Sequence, residues 1–368
     1  MDKMYGGAGI LRLPVRVFRA RGVMPGGTCY HGRAALPGAW SGALNVEDGP
    51  VAKDMGVDAA RLDRARGCLL GQLAGDSLGS LVEFMRPGEI REEHPDGVWD
   101  LEDGGSWNTL AGQPTDDSEM ALALARSLAE RGVFNPGAVR GAYVDWLHSH
   151  PFDIGNTVSS GLRGFLNRDS QANGALMRVS PLGIFGAGRP EDDVAAWAAA
   201  DAALTHPHPV CVGANVLYTL AVAHAVDAGP APDALYARML AWAKEWKVPA
   251  PLRDALTAAA DNPPAEYLSQ MGWVLIAFQN AVWQMLHAPS LEDGIVDTVM
   301  RGGDTDTNAA ICGALLGAVH GLDAVPQRWV DDILDCRPEA GRPGVHRARP
   351  ECYWPVDALE LAEALLAR

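Results

Sequence analysis

Two short clusters of acidic and hydroxyl side chains have the composition of divalent-metal ligands. The first cluster is Thr-Asp-Asp at residues 115–117, and the second cluster is Gly-Gly-Asp-Thr-Asp-Thr at residues 302–307. Carboxylate and hydroxyl oxygens are hard donors, which suit Mg²⁺ or Mn²⁺ better than zinc, because zinc prefers nitrogen and sulfur. Each cluster begins a helical stretch, where the helix N-terminus favours ionised aspartate. Together the clusters predict a site for divalent metal ions.

Each cluster also has a structural alternative. Asp116 with Glu119 three residues later resembles a capping box, which stabilises a helix N-terminus without a metal. The second cluster matches the first half of an EF-hand calcium loop, but Ala309 stands where that loop needs glycine and Leu315 where it needs glutamate. Capping needs one aspartate, whereas each cluster offers three ligand-capable positions. The metal interpretation is therefore favoured.

The elements that position these clusters are predicted to be helices. Apolar residues recur at three- to five-residue spacing from Leu62 to Leu78, and at four-residue spacing from Met120 to Leu128. Convincing strands are scarce, so the sequence predicts a compact all-α domain over residues 58–368 without a clean internal boundary. Further helical stretches are predicted at residues 194–204, 212–227, 233–247, 252–260, 271–287 and 307–321.

Glycines recur at helical spacing in two stretches that resemble each other. Small residues at this spacing let two helix backbones approach closely. The Gly-Lys-Ser/Thr ending of a phosphate-binding loop is missing from both stretches. We therefore expect two helices that cross in one core. The stretches are Gly67-Cys-Leu-Leu-Gly71, continued by Gly75 and Gly79, and Gly313-Ala-Leu-Leu-Gly317.

Residues 1–57 form an N-terminal extension that differs from the rest of the chain in charge. Up to Lys53 they contain seven basic and three acidic residues, which leaves the extension near +4 and the remainder near −20. Glycine and proline are frequent there. Two interpretations stay open: an extension created by an upstream start codon, with Met55 beginning the ancestral domain, or a functional arm.

The bulk composition restricts the class of protein. Hydrophobic residues make up 48% and charged residues 21% of the chain, as in packed globular proteins. A net charge of −16 argues against a nucleic-acid partner, because phosphates are repelled. The six cysteines are scattered without a C-x-x-C pair, which is typical of reduced thiols. No apolar stretch reaches 18 residues without charge or glycine, so we expect a soluble cytoplasmic protein without a membrane partner.

Five motifs, which follow one another along the chain in the order given below, resemble those of the ADP-ribosylglycohydrolase family, in particular its dinitrogenase-reductase-activating type. The resemblance covers about residues 60–330. The order of the five motifs carries the resemblance, since no single motif is specific. The motifs are Gly71-x-x-x-Gly75-Asp76-x-x-Gly79-x-x-x-Glu83, Pro114-Thr-Asp-Asp117, Asn173-Gly-Ala-Leu-Met-Arg178, Thr205-His206 and Gly302-Gly-Asp-Thr-Asp-Thr307.

The resemblance implies an all-α domain with a binuclear Mg²⁺ or Mn²⁺ site at the base of a cleft. Two metal ions polarise a bridging water and bind the ribose hydroxyls, which favours bond cleavage at the anomeric carbon. Asp116 and Asp306 are implied as catalytic, with Asp306 able to bridge the ions. Glu83 matches a mobile acidic residue, a candidate acid/base or gate, unless it is a solvated glutamate at a helix end. The implied ligands are Thr115, Asp116 and Asp117 for one ion, and Asp304, Asp306 and Thr307 for the other.

Three segments match the family's substrate-binding residues. Residues 170–178 match the loop that wraps the diphosphate and distal ribose, although Ala172 stands where glycine is frequent. Residues 151–157 resemble arginine-directed members, in which Asp153 would pair with guanidinium unless it only caps a turn. A histidine after Thr205 would lie along the ADP-ribose groove, or else be a turn residue. The implied substrate-binding residues are Asp153, Ser170, Gln171, Asn173, Gly174, Met177 and His206.

The resemblance implies a hydrolase that removes ADP-ribose from an ADP-ribosylated protein, most simply from arginine. One alternative is an immunity-type protein whose basic N-terminal arm also blocks a cognate ADP-ribosyltransferase. Another is a hydrolase of O-linked ADP-ribose on serine, which would share the site and differ in the leaving group.

Overall fold

α-Helices form nearly all of the regular structure in the computed structural model, which describes residues 58–367. The predictions for residues 1–57 lie outside the described residues. Among the described residues there is no β-sheet, only two isolated bridges, so the all-α prediction is confirmed. The helices are α1 (Ala59–Gly79), α2 (Pro87–Glu93), α3 (Asp116–Arg131), α4 (Pro136–His148), α5 (Asn156–Leu162), α6 (Ser180–Gly186), α7 (Glu191–Ala203), α8 (Pro209–Ala228), α9 (Pro232–Glu245), α10 (Ala250–Ala258), α11 (Val274–His287), α12 (Leu291–Val299), α13 (Thr305–His320), α14 (Gln327–Asp335) and α15 (Ala358–Leu366).

The six predicted helical stretches correspond to α7, α8, α9, α10, α11 and α13. Helix α11 begins at Val274, three residues later than predicted, because Trp273 is extended and pairs with Ala172 in an antiparallel bridge. Helix α13 begins at Thr305, two residues earlier than predicted, with Asp304 as its N-cap residue. Both differences lie at loops that reach the candidate site.

Helices α1 and α13 cross at the glycines, as the spacing predicted. A β-carbon at Gly71 would overlap the carbonyl oxygen of Gly313, and one at Gly317 would overlap the carbonyl oxygen of Gly67. Only glycine allows two backbones to lie this close. The pairs follow opposite orders along the two helices, so α1 and α13 are antiparallel. The C-terminal end of α1 therefore lies beside the N-terminal end of α13, where Gly79 contacts Asp306.

The other helices pack around this pair. Helices α11 and α12 cover α13, while α6 and α7 pack against α8. Helix α8 has the length and apolar composition of a membrane-spanning helix, whereas the sequence predicts no such helix. Within it, 83% of the apolar window is buried inside the protein, as in a core helix. Burial against neighbouring helices therefore accounts for its apolar composition.

The C-terminal segment returns to the beginning of α3. The guanidinium of Arg349 pairs with the carboxylate of Glu119 at 2.7 Å, and both side chains are almost fully buried. Arg126, further along α3, pairs with Asp357 at 2.5 Å just before α15. Helix α15 packs against α1 and α3. The last part of the chain thus fixes the helix that carries the first cluster.

Candidate active site

The first cluster is held in place by Asp76, a fully buried residue near the end of α1. Its carboxylate accepts hydrogen bonds from the Thr115 amide at 3.1 Å, the Thr115 hydroxyl at 2.8 Å and the Ser118 amide at 3.0 Å. These bonds use donors that an α-helix N-terminus leaves without a backbone partner. Asp76 therefore fixes the start of α3 against the end of α1.

The two predicted clusters lie together. The Oδ2 atom of Asp117 accepts a hydrogen bond from the Thr307 hydroxyl at 3.3 Å and lies 3.2 Å from the hydroxyl oxygen of Thr115. This contact joins residues 190 positions apart in sequence. It follows from the antiparallel crossing of α1 and α13, which brings the starts of α3 and α13 to one place.

Glu83, Asp304 and Asp306 form the second part of the acidic group. Each contributes a carboxylate oxygen, and these oxygens lie within 4.8 Å of one another. Glu83 is 5% exposed, so its alternative interpretation as a solvated helix-end residue is wrong. The indole of Trp107 donates a hydrogen bond to its Oε2 atom. Glu83 is thus held toward the second cluster.

The capping-box alternative for the first cluster is not what the structure shows. Thr115 is the N-cap residue of α3 and makes no side-chain capping bond, while Asp116 is already inside the helix. The Glu119 carboxylate binds Arg349 and the indole of Trp146 instead, the latter at 2.7 Å. The carboxylates of Asp116 and Asp117 are therefore free of a capping role.

Burial of the acidic residues, and then their mutual repulsion, raises their pKa values. Burial, followed by the charges of Asp153 and Asp304, raises the pKa of Glu83 to about 8. Burial and the same kind of repulsion raise the pKa of Asp153 to about 6. Burial chiefly, and then neighbouring carboxylates, raise the pKa values of Asp116, Asp117 and Asp306 well above the ordinary aspartate value. Such a group is costly to keep ionised without cations.

The acidic group fits divalent cations. The Oδ1 atom of Asp117 and the Oδ2 atom of Asp306 are buried without a hydrogen-bond partner. Buried polar atoms are rarely left unpaired, so these oxygens are available as ligands. Among the described residues that line the adjoining cavity, none is lysine or arginine, so the cavity lining supplies no cationic side chain. The donor set is entirely oxygen, as Mg²⁺ and Mn²⁺ prefer.

A cavity of about 460 Å³ opens above this group. Five of the predicted substrate residues line it, and two do not. Ser170 hydrogen-bonds to the Thr157 hydroxyl at 2.8 Å, and Gln171 accepts a bond from the Trp273 indole in an adjoining groove. Of the predicted metal ligands, Thr115 and Asp117 lie behind the lining. The predicted residues in the lining are Glu83, Asp116, Asp153, Asn173, Gly174, Met177, His206, Asp304, Asp306 and Thr307.

The loop at residues 170–174 connects the cavity to the second cluster. The amide of the Asn173 side chain donates a hydrogen bond to Oδ2 of Asp304 at 2.7 Å, and its backbone amide bonds to Gly272 at 3.0 Å. Ala172, the departure from the family pattern, sits in the bridge to Trp273 without a positive φ. Its backbone therefore does not require glycine.

His206 is a neutral imidazole at the cavity wall. Burial, together with the charge of Arg178, lowers its pKa to about 3. Its Nδ1 atom lies 2.8 Å from the Thr205 hydroxyl, while its buried Nε2 atom has no partner. This placement contradicts a simple turn role. Arg178 itself is fully buried, pairs with Asp201 at 3.2 Å and has a structural role.

Sequence reasoning missed three residues that position the site: Asp76, Trp107 and Arg349. Asp76 was visible only as part of the Gly75–Gly79 motif, where a helix-interior aspartate gives no sign of its partners. Trp107 and Arg349 gave no local signal, because each acts on a carboxylate distant in sequence. A buried carboxylate needs a donor or cation, and that need was the only available clue.

The ADP-ribosylglycohydrolase family model matches residues 57–365. The chain belongs to the ADP-ribosylglycohydrolase family. The match extends beyond the range of about residues 60–330 suggested by the motifs, and it includes the C-terminal segment with Arg349. The family name states the removal of ADP-ribose, and the buried acidic group is a candidate metal site in this chain.

Curated relatives agree with this assignment. The chain is 32% identical over 282 residues to ADP-ribosyl-[dinitrogen reductase] glycohydrolase of Rhodospirillum rubrum, covering 74% of this chain and 90% of that protein. It is 28% identical to ADP-ribosylarginine hydrolase Tri1 of Pseudomonas putida strain GB-1, covering 74% of each chain. It is 27% identical to human ADP-ribosylhydrolase ARH3, covering 74% of this chain and 89% of that protein.

A solved structure described as an ADP-ribosylglycohydrolase-related protein complex has the same fold. It superposes with a TM-score of 0.68 at 27% identity, covering 84% of this chain and 98% of the solved chain. The helical architecture is therefore that of the family.

Proposed function

We propose that this protein is a metal-dependent hydrolase that removes ADP-ribose from modified arginine side chains of proteins. The observation that carries the proposal is the meeting of the two acidic clusters, with unpartnered carboxylate oxygens, at the base of the cavity. The relatives named for ADP-ribose removal from dinitrogen reductase and from arginine support the same reaction.

Two divalent cations, Mg²⁺ or Mn²⁺, fit the acidic group. The first cluster would hold one ion, and Asp304, Asp306 and Thr307 would hold the other, with Asp306 shared. When bound, the ions supply Lewis acidity and an activated water at the bond to the terminal ribose. The assignment rests on the oxygen donors and their burial.

In this proposal, residues of the chain itself bind the substrate, and one of them donates a proton to the leaving side chain. Asn173 fixes the orientation of Asp304, and the neutral His206 belongs to the cavity lining, with its buried Nε2 atom beside Gly174. A β-carbon at Gly174 would lie 2.8 Å from the Val158 side chain and 3.1 Å from the His206 ring, so glycine lets these side chains pack at the cavity wall. The indole of Trp107 donates a hydrogen bond to one carboxylate oxygen of Glu83. The Glu83 carboxyl group is the candidate general acid that protonates the leaving side chain.

The choice of arginine as the modified side chain is inferred from the acidic residues in the cavity lining. Asp153 lies in the lining together with Glu83 and Asp116. A guanidinium offers two parallel N–H groups to a carboxylate, a match that a serine hydroxyl cannot make. The test is to incubate the protein with arginine- and serine-ADP-ribosylated peptides, with and without Mg²⁺ or Mn²⁺. We expect metal-dependent release of ADP-ribose from arginine, and cleavage of the serine peptide alone would contradict the proposal.

Asp153 is expected to contribute to recognition of the arginine leaving group and not to the binding of ADP-ribose. Replacing Asp153 with alanine is expected to lower kcat/KM for ADP-ribosyl-arginine by about 10-fold or more, because a carboxylate–guanidinium pair is lost. The affinity for free ADP-ribose, measured by calorimetry, should change by less than about twofold, since the remote phosphates bind elsewhere. The control is Asp145→Ala at an exposed position on α4. Equal losses in both assays would assign Asp153 to the scaffold.

A second candidate function is binding of a cognate ADP-ribosyltransferase by residues 1–57. The extension is basic, whereas the domain that follows it is strongly acidic. A basic segment is attracted to an acidic partner, and its arginine side chains could enter the transferase pocket that accepts arginine. The described domain begins just before α1, whose far end carries Asp76, so truncation before residue 58 leaves the site complete.

Truncation therefore separates the two activities. A chain of residues 58–368 is expected to keep its hydrolytic rate within about twofold, because no described site residue is removed. Full-length protein should bind the transferase in a salt-sensitive manner, measured by pull-down at two salt concentrations. Indistinguishable binding by the full-length and truncated chains would eliminate the arm as an inhibitor.

A further inference from the structure

Phe84 is an aromatic residue in an unfavourable backbone conformation at the edge of the cavity. Its φ angle is +68°, in the left-handed region that bulky residues rarely adopt. It lines the cavity beside Glu83 and Asp153, and 56% of the residue is exposed. Unlike the core aromatics, this ring is therefore not explained by packing in the interior.

Backbone hydrogen bonds hold this conformation. The amide of Phe84 donates to the carbonyl of Gly303 at 2.7 Å, and the amide of Gly303 donates to the carbonyl of Met85 at 3.0 Å. The segment after Glu83 is thereby tied to the second cluster. Glycine would satisfy the same backbone without strain, so the exposed phenyl ring, rather than the turn, calls for an explanation.

Phe84 lines the same cavity as the acidic residues Glu83 and Asp153, and such a surface suits a cation carried on an aliphatic chain. Glu83, next to Phe84, is bonded to Trp107, whose ring lies 5.9 Å from that of Phe152. Phe152 precedes Asp153, and the guanidinium of Arg347 lies 5.8 Å from its ring centroid. A guanidinium of the chain itself thus lies near Phe152, one residue before Asp153. Aromatic faces attract guanidinium groups and pack against their methylene stems.

We propose that Phe84 is a specificity-determining residue that contacts the arginine side chain released by hydrolysis. The phenyl ring provides an apolar wall for the side chain, while Asp153 faces its guanidinium. This inference rests on the proposed function and adds a recognition surface outside the groove for ADP-ribose. A peptide carrying ADP-ribose on serine has a shorter, uncharged leaving group and gains little from this wall.

The test compares full-length wild type with Phe84→Ala, Phe84→Gly and Phe84→Tyr, using an ADP-ribosyl-arginine peptide with Mg²⁺. Alanine removes the ring and keeps the strain, glycine removes both, and tyrosine keeps the ring. We expect alanine and glycine to raise KM by about 5- to 20-fold and tyrosine to change it by less than about threefold. Leu240→Ala, which truncates an apolar residue 38% exposed on α9, is the control.

Two further measurements make the outcome decisive. The Kd for free ADP-ribose should stay within about twofold in every variant, since the ring contacts the leaving group only. Phe84→Gly should melt at a higher temperature than Phe84→Ala, because glycine relieves the left-handed strain. An unchanged KM in the alanine and glycine variants, or a matching loss of ADP-ribose affinity, would overturn the inference while the proposed function stands. A wild-type protein that does not cleave the arginine peptide would overturn both.

Discussion

Replacing Asp306 with asparagine is expected to abolish turnover and to make the metal-free protein more stable. Asp306 is fully buried beside Glu83 and Asp304, with its Oδ2 atom unpartnered. Loss of a shared metal ligand should lower kcat by about 1,000-fold or more, as expected when several kcal/mol of transition-state stabilisation disappear. Removal of a buried, unsatisfied acid should stabilise the metal-free fold by roughly 1–3 kcal/mol.

The gain in stability should depend on pH. Burial and neighbouring carboxylates raise the pKa of Asp306 in the folded state, so the folded wild type binds more protons than the unfolded chain. The stability of metal-free wild type therefore falls as pH rises above the ordinary aspartate pKa of about 4. Asparagine removes this contribution, and the difference in free energy of unfolding between the two proteins should widen with rising pH.

Melting temperatures in EDTA and in Mg²⁺ or Mn²⁺ measure both effects. Metal should raise the Tm of wild type, because an ion that binds only the folded state stabilises it, and should have little effect on Asp306→Asn. Asp145→Asn, at an exposed position on α4, is the matched control. Wild-type activity that persists in saturating EDTA would contradict the two-metal mechanism.

Replacing Gly71 with alanine is expected to destabilise the protein by about 3 kcal/mol, the upper range for an added methyl group in a packed core. The new β-carbon would overlap the carbonyl oxygen of Gly313, and neither backbone can yield without separating α1 from α13. Because this crossing also aligns Asp76 with the second cluster, the variant should bind metal more weakly as well.

Gly141→Ala in α4 is the matched control. No atom lies within 4 Å of a β-carbon built there, so alanine should stabilise the helix by about 0.5–1 kcal/mol. Denaturant midpoints give both free energies of unfolding. If Gly71→Ala were as stable as Gly141→Ala, the close crossing of α1 and α13 would be wrong.

The sequence predicted the parts of the fold that repeat. The glycine spacing identified the crossing of α1 and α13, and the periodicity located eight helices: α1, α3, α7, α8, α9, α10, α11 and α13. Helices α5 and α6 have seven residues each, which is too short for periodicity to be read. The start of α11 was displaced because Trp273 pairs with Ala172, a partner from a distant loop.

The candidate site was predictable where a motif groups acidic and hydroxyl residues, and unpredictable where a single distant residue positions them. The two acidic clusters share a recognisable composition, and the structure brings them together through Asp117 and Thr307. In the sequence, Asp76 is an ordinary polar position, and only the structure shows that Thr115, 39 residues away, donates a hydrogen bond to it. Arg349 lies 230 residues from Glu119, and such a distant pair leaves no trace in local spacing.

The ion pair between Arg349 and Glu119 has a consequence for synthesis of the protein. Glu119 lies in the first turn of α3, directly after the first cluster, and is 1% exposed. A buried carboxylate that lacks its cation typically costs about 3–5 kcal/mol. While the chain emerges from the ribosome, both acidic clusters are made before Arg349. Until Arg349 has been added, Glu119 therefore lacks the cation that its burial requires, and the start of α3, which carries the first cluster, is destabilised.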